Sequence, residues 1–169
     1  MTTNSIYTGI LVSNHQYQAQ SENCGPFCAA MAINAIKGSH LDGNDLALSM
    51  NRPGFDHFLI TIRRIPNYAT FPWGIVDVLS ENGIKSSWKF FSNFSDLSSL
   101  ISQKNILIIL TATYQPLSGH YRILASIEDD KIGFIDPAHP EQDIKYQPRP
   151  SFLLEWQNAF NPLITIQVP

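Results

Sequence analysis

The sequence predicts an α+β fold, in which helices come first and mostly antiparallel strands follow. Residues 24–37 form an almost wholly apolar segment of helical length, which is typical of a buried central helix. Short apolar segments separated by turn residues fill the second half, and those over 120–136 have the pattern of a hairpin. With 169 residues, 44% of them apolar, we expect one domain with a hydrophobic core over residues 1–169.

The helix and strand signals follow one another along the chain without repeats. Pro26 suits the first turn of the central helix and Gly38 its end, while Ser95 is the expected N-cap of a later helix. Residues 51–70 contain two prolines and a mixed pattern, which predicts an irregular excursion over one side of the functional site. The other predicted elements are an edge strand at 6–12, a turn at 42–44, helices at 45–50, 72–82, 95–103 and 151–160, strands at 84–91, 105–112, 120–127, 131–136, 144–146 and 163–168, and loops at 115–119 and 137–150.

The charge and hydropathy of the chain exclude several classes of function. A net charge of −3 and a pI near 5.9, with no run of lysine or arginine, argue against nucleic-acid binding. The longest apolar run, residues 106–110, is too short to cross a bilayer, and the first residues do not have the pattern of a signal peptide. We therefore expect no membrane segment and a cytoplasmic protein, with export by another route left open.

The cysteines and histidines do not have the spacing of a metal site. Cys24 and Cys28 lie about one helical turn apart, a separation that disfavours a strain-free disulfide. A zinc site needs further ligands at regular spacing, which the histidines at positions 15, 40, 57, 120 and 139 do not supply. The sequence therefore predicts neither a metal nor a cofactor.

Cys24 stands where the central helix is predicted to begin. The first backbone N–H groups of a helix have no partner within it, and the helix dipole places partial positive charge at that end. Both effects favour the thiolate, which is the nucleophilic form of cysteine. Cys24 is therefore a candidate nucleophile, provided that a base and a group that orients the base lie nearby.

His120 and Asp136 are the candidates for these two roles. His120 opens a predicted strand, and Asp136 ends the next one, with the turn of the hairpin near Asp129. The two residues are 16 apart and roughly symmetric about that turn, so the hairpin is expected to bring them together at its open end. A thiol, an imidazole and a carboxylate in this arrangement are suited to acyl transfer.

Three short motifs in this order resemble those of the papain-like cysteine peptidases. They are Gln18 followed six residues later by Cys24-Gly25-Pro26 and an Ala/Met-rich helix, then Gly119-His120-Tyr121, then Ile135-Asp136-Pro137-Ala138. Within this superfamily the chain is most similar to the peptidase domains that cleave double-glycine leaders from bacteriocins, and to their stand-alone relatives. The resemblance spans about residues 14–140. It implies a papain-like fold in which the helix of the nucleophile packs on a mostly antiparallel sheet.

The resemblance also implies a role for each matching residue. Cys24 would be the nucleophile, His120 the base, Asp136 the group that orients His120, and Gln18 a donor in the oxyanion hole. Gln20 is a rival for the oxyanion role, but its offset of four from Cys24 does not match the family. Cys28 is a rival nucleophile, but Glu22, six residues before it, cannot donate a hydrogen bond when ionised.

The resulting hypothesis is a cysteine peptidase that acts on a peptide or protein substrate, or a related thiol acyl-transfer enzyme. Hydrolysis and transamidation both remain open, because the same residues serve either reaction. An alternative from another class is a peptidase-like domain with weak or no activity that binds peptides. An effector or toxin that acts on one partner protein is a third interpretation.

Overall fold

The computed structural model describes residues 2–56, 59–114 and 117–169, and it combines helices with strands as the α+β prediction requires. The helices are α1 (Thr8–Ser13), α2 (Cys24–Lys37), α3 (Gly43–Met50), α4 (Pro72–Glu81), α5 (Phe94–Ile101) and α6 (Arg149–Asn158). The strands are β1 (Thr3–Asn4), β2 (Gly54–Asp56), β3 (Leu59–Thr61), β4 (Arg64–Ile65), β5 (Ala69–Thr70), β6 (Ser86–Lys89), β7 (Asn105–Tyr114), β8 (Leu117–Ile127), β9 (Lys131–Ile135), β10 (Lys145–Pro148) and β11 (Leu163–Gln167).

An antiparallel sheet organises the fold. Within the described residues it has seven strands, in the order β10-β9-β8-β7-β11-β6, with β1 paired to the end of β8. The apolar run in β7 is buried on both faces of the sheet, as its composition predicts. β8 and β9 form the predicted hairpin, with Ile123 opposite Ile135 and an irregularity between Leu124 and Ser126. On the other side of β8, His120 lies opposite Thr111 of β7.

Helices cover both faces of this sheet and bury two hydrophobic cores, since each face must be shielded from water. The front core lies between the sheet and the helices α1 to α4, and α2 contributes mostly small side chains to it. The rear core lies between the sheet and the helices α5 and α6, and it contains the aromatic residues Phe134, Phe152 and Trp156. Alternation along β7 divides the strand between them, with Ile106 and Ile108 at the front and Leu107 and Ile109 at the rear.

α2 lies buried in the front core and carries Cys24 at its first position. Residues 24–34 are all buried, and Gly38 ends the helix in the left-handed conformation with a φ of 64°, as predicted. Gly25 allows β5 to approach the start of the helix, because a Cβ at this position would lie 2.9 Å from the side chain of Thr70. This close approach places the 51–70 segment against the end of α2 that carries the thiol.

The predicted edge strand at 6–12 is wrong, since these residues mostly belong to the helix α1. Leu11 is fully buried in the front core, and Tyr7, one helical turn earlier, packs against the same core. The hydroxyl of Thr8 donates a hydrogen bond to the backbone oxygen of Ser5 at the start of the helix. β-branched residues favour strands only weakly, and burial of this helical face outweighs that preference.

The structure also refines other predictions. The N-cap of α5 is Asn93 and not Ser95, and the side chain of Asp96 accepts a hydrogen bond from the Asn93 N–H to form a capping box. Residues 51–70 contain two short hairpins, β2–β3 and β4–β5. Residues 57 and 58 of that segment, and residues 115 and 116 of the predicted loop, lie outside the described residues. The predicted turn at 42–44 is wrong for its last two residues, which belong to α3, because the side chain of Asp42 caps that helix by accepting hydrogen bonds from the N–H groups of Asn44 and Asp45. Residues 117–119 of the predicted loop belong to β8. The remaining elements occur within a few residues of their predicted bounds.

Candidate active site

Cys24 occupies the first position of α2, beside a cleft. Its relative exposure is 8%, so the residue is mostly buried but reaches the cleft wall. Cys28 lies one turn further along α2, where it is fully buried, and both cysteines are free thiols. Burial, followed by the negative charge of Cys24, raises the pKa of Cys28 well above its ordinary value. Cys28 is therefore a neutral thiol in the core.

The hairpin β8–β9 brings His120 and Asp136 into direct contact. His120 Nε2 lies 2.7 Å from Asp136 Oδ1, as the spacing of the two residues about the turn predicts. The backbone N–H of Ala138 donates a second hydrogen bond of 2.9 Å to the same oxygen. His139 Nε2 lies 3.9 Å from Asp136 Oδ2, and His139 is half-exposed. Asp136 therefore accepts one short hydrogen bond from His120 in its own hairpin and one from Ala138 in the loop after β9.

Asp136 is ionised in this environment. Burial alone would raise the pKa of its carboxyl group, because a buried charge loses hydration. The hydrogen bond and the charge of His120, the N–H of Ala138 and the charge of Arg122 outweigh burial and lower the pKa of Asp136. A buried carboxylate beside the imidazole stabilises the protonated form of His120.

His120 lies between this carboxylate and the thiol. Burial would lower the pKa of His120, but hydrogen bonds to Asp136 and Cys24, together with their negative charges, raise it from 6.5 to about 9. Because Nε2 faces Asp136, the nitrogen left for the thiol is Nδ1. The structure therefore brings three of the four predicted residues together, in the order thiol, imidazole, carboxylate.

Gln18 is anchored beside these residues by hydrogen bonds that, among the described residues, run to Pro137 and Ser21. Its backbone N–H donates a hydrogen bond of 2.8 Å to the Pro137 oxygen, and its side-chain Nε2 donates one of 2.9 Å to the Ser21 oxygen. Its Oε1 is buried without a hydrogen-bond partner among the described residues. An amide nitrogen carries two N–H groups, so one N–H of Gln18 remains for a ligand. The rival Gln20 is exposed.

The cleft beside Cys24 has a volume of about 360 Å³. One wall is the turn between β4 and β5, so the 51–70 segment lies over one side of the site, as predicted. The other wall is formed by the ends of β7 and β8 that meet beside His120. The lining residues are Glu22, Cys24, Asn67, Tyr68, Ala69, Thr70, Leu110, Ala112, Ser118, Gly119 and Tyr121. A larger cavity of about 590 Å³ lies at the opposite end of α2, around Lys37, away from the thiol.

Several contacts around the site have no signal in the sequence. The hydroxyl of Tyr121 donates a hydrogen bond of 3.0 Å to the Thr70 oxygen, and this bond ties β8 to the opposite wall of the cleft. Arg64 Nη2 donates one of 2.7 Å to Asn23 Oδ1, beside Cys24. These pairs are separated by 51 and 41 positions. No local pattern connects such distant residues, and only the tertiary fold brings them together.

The described residues give no indication of a metal ion or of a membrane span. They contain no group of three or more His, Cys, Asp or Glu residues arranged to hold a metal. None of the helices found among them has the length and apolar character needed to traverse a bilayer.

Solved structures with the same fold are peptidases or peptidase domains. A C39-like peptidase from Bacillus anthracis is similar over 98% of this chain and 97% of its own, with a TM-score of 0.75 and 10% identity. The peptidase domain of Streptococcus ComA, a bi-functional ABC transporter involved in quorum sensing, is similar over 91% of this chain and 97% of its own, with a TM-score of 0.63 and 15% identity. The ComA peptidase domain of Streptococcus mutans is similar over 90% of this chain and 98% of its own, with a TM-score of 0.55 and 13% identity. At these identities the likeness concerns the fold.

The sequence was also compared with curated proteins and with models of protein families. No curated protein sequence matches the chain. The model of the Peptidase_C39 like family, however, matches residues 12–162, which are most of the chain. This match agrees with the resemblance to bacteriocin leader peptidases carried by the motifs around Cys24, His120 and Asp136. The chain therefore belongs to the Peptidase C39-like family.

Proposed function

We propose that this protein is a cysteine peptidase that cleaves peptide bonds through a thioester intermediate. The observation that carries the proposal is the placement of Cys24, His120 and Asp136 beside one another at the edge of a cleft, with His120 Nε2 2.7 Å from Asp136 Oδ1. Cys24 is the nucleophile, His120 the base and acid, and Asp136 the residue that orients His120. Cys28 does not compete, because it is fully buried and its pKa is raised.

The reaction begins with the thiolate of Cys24 and the protonated imidazole of His120. The Sγ atom attacks the carbonyl carbon of the substrate, and a tetrahedral intermediate with a negative oxygen forms. As the C–N bond breaks, His120 donates its proton to the leaving amine and a thioester remains on Cys24. Neutral His120 then takes a proton from water, the resulting hydroxide attacks the thioester, and the carboxylic acid product and the thiolate are released.

Two donors would stabilise the negative oxygen of the intermediate. They are the backbone N–H of Cys24, which lies at the start of α2, and the free N–H of the Gln18 side chain. One such donor typically lowers the barrier by about 3 kcal/mol. The other N–H of the Gln18 amide donates to the Ser21 oxygen. The oxyanion role of Gln18 is therefore part of the proposal.

The substrate is a peptide or protein segment that enters the cleft in an extended form. The wall beside His120 consists mainly of small residues, among them Ala112, Ser118 and Gly119. Small lining side chains leave room for the backbone of a substrate to approach the thiol. Water and an amine can each resolve the thioester, so transamidation is a variant of the same reaction. The cytoplasmic location stays a prediction.

The test combines activity with detection of the intermediate. A library of synthetic peptides is incubated with the protein, and cleavage is followed by mass spectrometry. Cys24→Ala is expected to lower cleavage by a factor on the order of 10³ or more. Cys28→Ala, the matched control from the same helix, is expected to retain activity. Unchanged cleavage in folded Cys24→Ala would contradict the proposal.

The alternative interpretation, a binding module without activity, is separated by intact-mass measurement. The hydrogen bond from Gln18 to Ser21, and not to the cleft, is the observation that favours it. A peptidase shows a mass increase on Cys24 equal to an acyl group when the reaction is quenched early. A binding module retains bound peptide and shows no such adduct.

A further inference from the structure

Two consecutive arginines, Arg63 and Arg64, are both buried but have different partners. Arg63 forms ion pairs with Asp77 and Glu81, which neutralise its charge. Arg64 is only 4% exposed, and its Nε is buried without a hydrogen-bond partner among the described residues. Within the described part of the chain, no carboxylate lies within ion-pair distance of Arg64. A buried cation without a carboxylate is costly, so its position requires an explanation.

The fold places Arg64 beside the start of α2. In the hairpin β4–β5, Arg64 lies opposite Thr70, and Thr70 packs closely against Gly25. The guanidinium Nη2 donates a hydrogen bond of 2.7 Å to the side chain of Asn23, the residue immediately before Cys24. The guanidinium is therefore held at the end of the helix that carries the thiol.

The charge of Cys24 acts on this arginine. Burial lowers the pKa of Arg64, and the negative charge of the Cys24 thiolate opposes that effect. A guanidinium remains protonated at all ordinary pH values, so its charge is fixed. Attraction between two opposite charges is mutual, so a guanidinium held at this position favours the charged form of the thiol.

We propose that Arg64 is a positioning residue that holds a fixed positive charge beside the Cys24 thiolate, in addition to the charge of His120. This inference deepens the proposed function and rests on it. Arg64 does not line the cleft, so it acts on the thiolate and not on the substrate. The consequence is that the thiolate does not depend on the charge of His120 alone.

The other ionisable groups around Cys24 do not supply this charge. Burial raises the pKa of Tyr121 and of Cys28 well above the ordinary values, so both stay neutral. Asp136 and Glu22 carry negative charge, which disfavours a thiolate. The groups that face Cys24 are Glu22 before the helix, Cys28 on the helix, Arg64 on β4, His120 and Tyr121 on β8, and Asp136 after β9.

The test is the rate of alkylation of Cys24 by iodoacetamide as a function of pH, measured on the Cys24 peptide by mass spectrometry. Loss of a nearby positive charge disfavours the thiolate, so Arg64→Gln is expected to raise the midpoint of the profile by about one pH unit. Arg64→Lys, which keeps the charge, is expected to shift the midpoint much less. Arg63→Gln is the control. It is expected to lower the thermal stability and to leave the midpoint of the alkylation profile unchanged.

An unchanged midpoint in folded Arg64→Gln would overturn the inference. If that variant does not fold, Asn23→Ala carries the test, because it releases the guanidinium without removing its charge. A raised midpoint in Asn23→Ala is expected, and an unchanged midpoint would overturn the inference. Failure of the proposed function looks different, since folded Cys24→Ala would then cleave peptides as well as the wild type does.

Discussion

The two faces of the sheet are built from different side chains and serve different purposes. At the front, α2 presents Cys24 and small residues, among them Ala29 and Ala32, so that the helix approaches the strands closely. At the rear, the aromatic rings of Phe152 and Trp156 fill the space below α6. Small residues allow a thiol and an imidazole to meet, whereas large rings bury more apolar area per residue. The front is therefore suited to chemistry and the rear to stability.

The largest expected effect concerns Asp136 at the front. Asp136→Asn keeps the shape of the side chain but removes the charge that stabilises protonated His120, and kcat/KM is expected to fall by a factor on the order of 10³. The free energy of unfolding, measured in urea, is expected to change much less than the activation free energy of cleavage. If Asp136→Asn lost stability and kept its activity, the contrast between a front face for chemistry and a rear face for stability would not hold.

The pH profile of the same variant sharpens this prediction. The active form requires protonated His120, whose pKa is raised to about 9, so wild-type kcat/KM is expected to fall as the pH rises through about 9. Without the carboxylate the pKa of His120 decreases, and the alkaline limb moves to lower pH. His139→Ala is the control, because His139 is half-exposed and lies 3.9 Å from Asp136. The alkaline limb of the kcat/KM profile of His139→Ala is expected to stay at the wild-type pH.

Trp156 provides the opposite test at the rear. Its side chain is 1% exposed, stacks on Phe152 and donates a hydrogen bond to the Pro162 oxygen. Trp156→Ala is expected to lower the free energy of unfolding by about 3–5 kcal/mol. Cleavage per folded molecule is expected to stay within about twofold, since the rear core does not contact the cleft.

Leu154→Ala is the matched control on the same helix. Leu154 is 61% exposed, so its truncation is expected to change the free energy of unfolding by less than about 0.5 kcal/mol. Urea unfolding of both variants, followed by circular dichroism, measures the difference. Equal effects of Trp156→Ala and Leu154→Ala would show that the rear core does not supply the stability assigned to it.

A smaller effect is expected for Tyr121, which links the front core to the cleft. Tyr121→Phe removes the buried hydrogen bond to the Thr70 oxygen, at a cost of about 1–3 kcal/mol, because the carbonyl is left unpaired. Thr70 lines the cleft, so KM is expected to rise with the loss of this contact. Tyr114→Phe is the control, because the Tyr114 hydroxyl bonds Asn158 at an exposed site. Equal stability of both variants would contradict the prediction.

The elements that the sequence predicted well have local signals. α2 is visible in a continuous apolar run, and the contact between His120 and Asp136 follows from their symmetric spacing about one turn. The family model spans the same part of the chain. Arg64 could not be identified, because its proximity to Asn23 depends on how the 51–70 segment folds back over α2.

Short segments near the ends of elements were the least predictable. Over residues 6–12 the β-branched composition favoured a strand, while the burial of Leu11 against α2 produces a helix. At α5 both Asn93 and Ser95 have side chains that suit an N-cap, and the sequence alone does not choose between them. The choice depends on where the chain leaves β6, which is a property of the tertiary structure.

The smallest expected effect decides between these two caps at the rear of the molecule. Asn93→Ala removes the cap of α5, and the free energy of unfolding is expected to fall by about 1 kcal/mol. Ser95 is exposed and lies within the first turn, so Ser95→Ala is expected to change it by less than about 0.5 kcal/mol. Neither variant should alter cleavage, because α5 packs on the rear core, remote from Cys24. A loss of stability in Ser95→Ala that exceeds the loss in Asn93→Ala would place the start of α5 two residues later, and would leave Asp96 without its role in the capping box.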